Sequence, residues 1–139
     1  MNVYDLDDNM YAWNLVGHKP NLNIKKSSLH LRARNIIIST YPTLQILEEV
    51  PIKTHKSDTL YLDFYIPLKR MCIETHGEQH YKFVAHYHSN QLGFMKHKRR
   101  DRDKKEWCRI NDIVYIELPF DETPEQWSKR ISDEYQRTS

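Results

Sequence analysis

Residues 59–75 read "TLYLDFYIPLKRMCIET", two apolar runs broken at a proline. Each run alternates in the period of two that belongs to a β-strand. Two such runs this close together are expected to pair as an antiparallel hairpin, and no other stretch restricts the fold as tightly. With Leu68-Lys69 as a two-residue turn, Asp63 falls opposite Glu74 and Tyr65 opposite Cys72. One face then carries Leu60, Leu62, Phe64, Ile66, Met71, Ile73 and Thr75, and belongs in a core. The other carries Tyr61, Asp63, Tyr65, Cys72, Glu74 and His76. Directly opposed Cβ atoms lie roughly 5 Å apart, so two carboxylates face each other at short range.

The flanking sequence supplies the other elements. Ser27 or Ser28 can cap a helix reaching residue 40, with Leu29, Ala33, Ile36 and Ile37 on one side and Pro42 beyond its end. Residues 44–52 alternate as a strand, and residues 55–58 form a polar turn. Residues 77–90 read as a loop, 91–111 as a helix and 113–118 as a strand. Thr123-Pro124-Glu125-Gln126 opens a last helix, with a Thr cap, Pro at the first position and Gln at the third. The predicted order is α-β-β-β-α-β-α, an α/β sandwich built on one sheet. Residues 1–26 show no clear periodicity and read as an extended N-terminal arm with Tyr4, Tyr11, Trp13 and Leu15 to pack on the domain, leaving residues 27–139 as a single domain.

Composition narrows the function. The chain of 139 residues has no long apolar run, no export signal and only three glycines. It is expected to be soluble and cytoplasmic, without a membrane partner and without a Gly-rich phosphate loop. Cys72 and Cys108 stand far apart in the sequence, as reduced thiols rather than a zinc knuckle. Net charge is only +2, yet residues 69–109 hold 11 Lys/Arg against 5 Asp/Glu. Such a concentration predicts a polyanion on one face.

Facing carboxylates need a shared proton, a cation or a metal to offset their repulsion. A solvated face with a lysine partner for Asp63 satisfies the requirement. So does a magnesium ion on Asp63 and Glu74, with His76 two residues along the same face. His76 and His80 also form an HxxxH pair near His86 and His88, which leaves zinc as a further reading.

Asp63, ten intervening residues and then Glu74-Thr75-His76 resemble the PD-(D/E)XK nuclease superfamily, with His where Lys is usual. "LYLDFYIPLKRMCIETHGEQHY" and "RDRDKKEWCRINDIVYIEL" are similar to its small phage- and mobile-element-type members, related to very-short-patch repair endonucleases. The resemblance spans about residues 27–120. It implies a restriction-endonuclease-like α-β-β-β-α-β core, a mixed central sheet flanked by helices, with an extra C-terminal helix. It further implies a magnesium-dependent DNA endonuclease, with manganese as a substitute ion, leaving 5′ phosphates. Asp63 and Glu74 would hold the metal, helped by the Thr75 backbone carbonyl. His76 would orient or deprotonate water, and Gln79 would hold a phosphate or the attacking water. Gly77 would let the chain turn sharply beside the site. His80 is either a phosphate contact or a hydrogen-bonded loop residue. Many members carry an acid on the first helix; residues 27–41 contain none, and Glu48 or Glu49 would have to replace it.

The run "KHKRRDRDKKEW" is either a solvated helix face or, beside a metal site, a track for DNA phosphates. In the second reading Lys98, Arg99, Arg100, Arg102 and Lys105 belong to the DNA surface. Asp101 and Lys105 would turn inward and brace the site. Tyr81, Phe83 and Tyr87 are expected to pack the loop, and Trp107 and Trp127 the core. A non-catalytic DNA-binding module on a decayed nuclease fold is the competing function. Cutting both strands with so small a domain would call for a second copy, so a homodimer stays open.

Overall fold

In the computed structural model, which describes residues 1–20 and 25–138, residues 59–75 form the expected antiparallel pair. Side chains of His86, Tyr87 and residues 134–138 fall outside the described set. The elements are β1 (Asn2–Tyr4), β2 (Met10–Ala12), α1 (Ser28–Thr40), β3 (Leu47–His55), β4 (Asp58–Ile66), β5 (Met71–His76), α2 (Ala85–His88), α3 (Gln91–Ile110), β6 (Val114–Pro119) and α4 (Pro124–Thr138). Strands β3, β4, β5 and β6 lie in that order in one mixed sheet. The first two pairings are antiparallel and β5–β6 is parallel. Apart from the short α2, the order from α1 to α4 is the predicted one.

Local chemistry fixes the helix starts. Ser27 Oγ accepts from the His30 N–H at 3.1 Å, and Asn90 Oδ1 from the Gly93 N–H at 2.9 Å. Thr123 and Gln126 make the reciprocal bonds of a capping box, at 2.8 and 3.2 Å. Each cap satisfies an amide that the helix itself leaves unpaired.

Helices cover both sides of the sheet. Ala33 and Ile37 of α1 and Trp127 and Ile131 of α4 pack on Phe64, Ile66, Met71, Ile73, Ile116 and Leu118. On the opposite side, Trp107 and Cys108 of α3 join Val3 and Trp13 over Leu47, Val50, Ile52, Leu62, Tyr65 and Cys72. Both tryptophans of the expected core are fully buried, and both cysteines are free and buried.

Three expectations need correction. First, the loop between β4 and β5 is a 3-10 turn, Pro67–Lys69, closed by Arg70 in the left-handed region (φ 47°). It is longer than the assumed turn but symmetric about it, so Tyr65 still pairs with Cys72. Second, the predicted single apolar face is split: Leu62 packs with the α3 side, Phe64 with the α1 side. Opposite this break, Glu49 of β3 adopts φ 52°, and the far half of the β3–β4 hairpin rolls over there. Third, the N-terminal arm packs on the domain through Tyr11, Trp13 and Leu15 as expected, but as a hairpin of β1 with β2 rather than an extended segment. Trp13 Nε1 donates to the Pro51 carbonyl at 2.9 Å, and the Asn111 side chain brackets the Tyr4 backbone at 2.8 and 2.9 Å. The expected loop of residues 77–90 also contains a 3-10 turn, Glu78–His80, and the short α2.

Candidate active site

The β4–β5 ladder ends at the Phe64–Ile73 pair, and beyond it side chains replace backbone partners. The Asp63 N–H donates to Glu74 Oε2 at 2.5 Å. In return, Asp63 Oδ2 accepts from the Thr75 N–H at 2.9 Å and from Thr75 Oγ1 at 3.2 Å. The two predicted carboxylates thus stitch the strands together where they part. The same register sets Glu49 opposite Asp63 on β3 and pairs Glu74 with Glu117 on β6. Four acids therefore cross four strands in one row, two more than the hairpin alone reveals.

Each acid in the row is compensated differently. Glu74 is 1% exposed. Burial, and then the charge of Asp63, push its carboxyl up to about 8. The Lys104 Nζ donates to its Oε1 at 2.8 Å. Burial would lower the Lys104 ammonium, but the charges of Glu74 and Asp63 outweigh it and raise that group. Glu117 is held down to about 2, first by its hydrogen bond with His76. Glu49 pairs with Lys26, and Glu48 turns away to Arg34 and His30 on α1. Of the two proposed replacements for a helix acid, Glu49 is thus the one beside Asp63.

Lys104 was not anticipated. The expected inward lysine, Lys105, is exposed, and its neighbour reaches Glu74 instead. Spacing along the helix carried the signal: Lys96, Arg100, Asp103 and Lys104 recur at intervals of three and four. These residues line an open cleft of about 1200 Å³ between α3 and the far half of the β3–β4 hairpin. Asp63, Gln79 and His80 also line it, as does Arg99. Lys98, Arg102 and Lys105 do not, so the predicted basic surface divides between the cleft and the outer side of α3.

The histidines also separate. His76 is buried and does not line the cleft. Its Nδ1 lies 3.3 Å from Glu117 and its Nε2 3.2 Å from the Tyr115 hydroxyl, so both nitrogens are engaged. His80 stacks on it, ring centroids 4.3 Å apart and planes at 11°, and does line the cleft. His80 Nδ1 is 2.7 Å from Asp101 Oδ2. A carboxylate only accepts, so Nδ1 carries a proton, and in the neutral ring the lone pair is the one on Nε2. Asp101 does turn inward as expected, but onto His80.

His76, His80 and Asp101 bring candidate metal donors within 4.8 Å of one another. Imidazole donates in the plane of its ring, however, and stacked rings direct their lone pairs side by side rather than onto one ion. A hydrogen-bonded pair fits this geometry better than zinc. His88 belongs to a different cluster with Phe83, Phe94 and His97, and the His86 side chain lies outside the described residues.

The chain turns at Gly77 as expected, its carbonyl accepting from the His80 N–H at 3.0 Å, but with an ordinary φ of −73° that any residue adopts. A Cβ placed there would stand 2.5 Å from Gln79 Oε1, the end of a flexible side chain that can move aside. Tyr81 and Phe83 pack the loop as expected, on Phe120 and His88, and the Tyr87 side chain is not among those described. Among the described residues no helix is long and apolar enough to cross a membrane.

Comparison with known proteins places two viral relatives beside this chain. Uncharacterized protein 307L of Invertebrate iridescent virus 6 is 38% identical over 61 residues, 44% of this chain and 31% of the relative. Uncharacterized protein 033L of Invertebrate iridescent virus 3 is 33% identical over 63 residues, 45% of this chain and 32% of the relative. The match thus takes in about a third of each curated relative's length. No protein-family model and no solved structure matches the chain.

Proposed function

We propose that this chain is a metal-dependent endonuclease of the PD-(D/E)XK type that hydrolyses phosphodiester bonds in DNA. One observation carries the reading: Asp63, Glu74 and the half-buried Lys104 converge beside a cleft to which α3 contributes Lys96, Arg99 and Arg100. The donor set suits a hard dication, since Asp63, Glu74 and the Thr75 carbonyl offer oxygen alone, the preference of magnesium or manganese. Burial, and then the charge of Asp63, push the Glu74 carboxyl up to about 8, a cost that a bound cation would relieve. When bound, such an ion supplies charge neutralisation at the scissile phosphate and a more acidic water.

The chain's own groups would then divide the remaining work. Arg99, Arg100 and Lys96 bind the phosphates flanking the cut. Lys104 stabilises charge developing on the phosphate oxygens, the task usually given to a lysine two residues after the glutamate. His80 takes the proton of the attacking water at Nε2, while Asp101 holds its tautomer. This moves the base from His76, the sequence expectation, to the histidine that lines the cleft. His76 becomes the stacked support beneath it. Gln79 offers its amide to the phosphate or to the water.

Incubating supercoiled plasmid and labelled oligonucleotides with the protein, with magnesium or with a chelator, tests the reading. Magnesium-dependent cleavage that Asp63→Asn removes is expected. Binding without cleavage by the unaltered protein would instead establish the decayed, non-catalytic form.

A further inference from the structure

One large aromatic side chain in the cleft has no part in the chemistry above. Tyr61 lies two residues before Asp63 on β4 and lines the same cleft. It is 56% exposed, although neighbouring Leu60, Leu62 and Phe64 are at least partly buried. Strand rise places it about 7 Å from Asp63 along the chain. Across β3 its partner is Pro51, which also lines the cleft and offers a flat apolar neighbour. Lys96, Arg99 and Arg100 line the cleft from α3, and none has an ion-pair partner among the described residues.

An exposed ring sharing a cleft with unpaired cations is the arrangement with which proteins hold single-stranded nucleic acid. The cations follow the phosphates and the ring stacks on a base. A base in a continuous duplex already has both faces covered by its neighbours, so it has none to offer Tyr61. A duplex would leave the ring in water, while an unpaired nucleotide would cover it.

We infer that the preferred substrate carries an unpaired nucleotide beside the scissile phosphate, its base stacked on Tyr61. The inference rests on the nuclease reading for the word substrate, but the binding it describes requires no cleavage. Single strands, flaps and gapped duplexes share this feature. A fully paired duplex does not.

Binding in chelator separates the two. Fluorescence anisotropy would compare a labelled single strand, the same strand in a full duplex, and a duplex with a single-stranded flap. The single strand and the flap are expected to bind more tightly than the duplex. Tyr61→Ala should weaken binding to both roughly ten- to a hundredfold, while Tyr61→Trp preserves it. The salt dependence of Tyr61→Ala should stay that of the unaltered protein, because every cation that faces a phosphate remains in place. Since Tyr61 is exposed, its replacement leaves the core intact, and circular dichroism confirms that. Equal affinity for duplex and single strand, unchanged affinity in Tyr61→Ala, or binding to neither form would overturn the inference. Tyr61-dependent binding without cleavage in magnesium would remove the nuclease reading alone. Magnesium-dependent cutting of paired duplex by Tyr61→Ala at the unaltered rate would remove only the stacked base.

Discussion

Lys104 Nζ lies 2.8 Å from Glu74 Oε1, joining the middle of α3 to the end of β5. The carboxylate is buried and the ammonium nearly so. Removing one member of a buried pair strands the other, which costs far more than breaking a surface pair. Above pH 8, where Glu74 is ionised, Lys104→Met is therefore expected to destabilise the metal-free protein by on the order of 3 kcal/mol. Lys105→Met, one residue away and exposed, should stay within about 0.5 kcal/mol of the unaltered protein. Urea unfolding of the two variants checks this, and equal midpoints would place Lys104 outside the site.

The Glu74 carboxyl, raised to about 8 in the fold, gives stability a definite dependence on pH. The folded state holds this proton more tightly than the unfolded chain does. Its contribution is complete below the ordinary carboxyl range near 4.5 and is lost as pH rises through 8. Melting temperature in chelator should thus fall between pH 5 and pH 8 more steeply for the unaltered protein than for Glu74→Gln. Magnesium should raise the melting temperature most at the alkaline end, where Glu74 is ionised. Parallel curves for the two proteins would mean that Glu74 does not titrate in this window.

His80 and His76 are stacked neighbours with opposite expected phenotypes. His80→Ala should lower single-turnover cleavage by roughly a hundredfold or more while leaving DNA affinity and melting temperature close to normal. His76→Ala removes a buried ring bonded to Glu117 and Tyr115, so its main effect should be a lower melting temperature. The reverse pattern would return the base to His76.

The basic helix should divide by side. Changing Arg99 and Arg100 to Ala should reduce the slope of log affinity against log salt by about 0.7 for each single-strand phosphate that is no longer neutralised. Changing Lys98 and Arg102, which do not line the cleft, should leave that slope nearly unchanged. Equal reductions from both pairs would mean that DNA lies over the outer side of α3.

The carboxylate row can be tested through the ion itself. Asp63→Asn and Glu49→Gln should each weaken manganese binding in titration calorimetry, Asp63→Asn by the larger factor. Glu48→Gln should not, because Glu48 is bound to Arg34 and His30 on the other side of β3. Unaltered affinity in Asp63→Asn would remove the metal from this position.

Alternation made the hairpin legible, because a period of two leaves few ways to bury Phe64, Ile66, Met71 and Ile73. Register survived a wrong turn length because the real loop extends equally on both sides. Asp63 and Glu74 were legible for the same reason. Lys104 was not: in a run of seven cations, choosing the inward one depends on helix rotation to within a single residue. Glu117, and the choice of Glu49 over Glu48, were hidden in another way. Their places in the row depend on pairings with β4 and β5 that no local pattern encodes. The N-terminal hairpin has strands of only three residues, too short for any period to register.

That hairpin also orders events during folding. Val3 is fully buried, and Tyr4 bonds to a side chain 107 positions later in the chain. Trp13 completes its aromatic contacts only with Tyr65 and Trp107. The part of the molecule that the ribosome makes early must wait for residues made much later before it can dock. Contacts of such long sequence separation slow folding, and until they close, the surface around Trp107 stays open to water or to another chain.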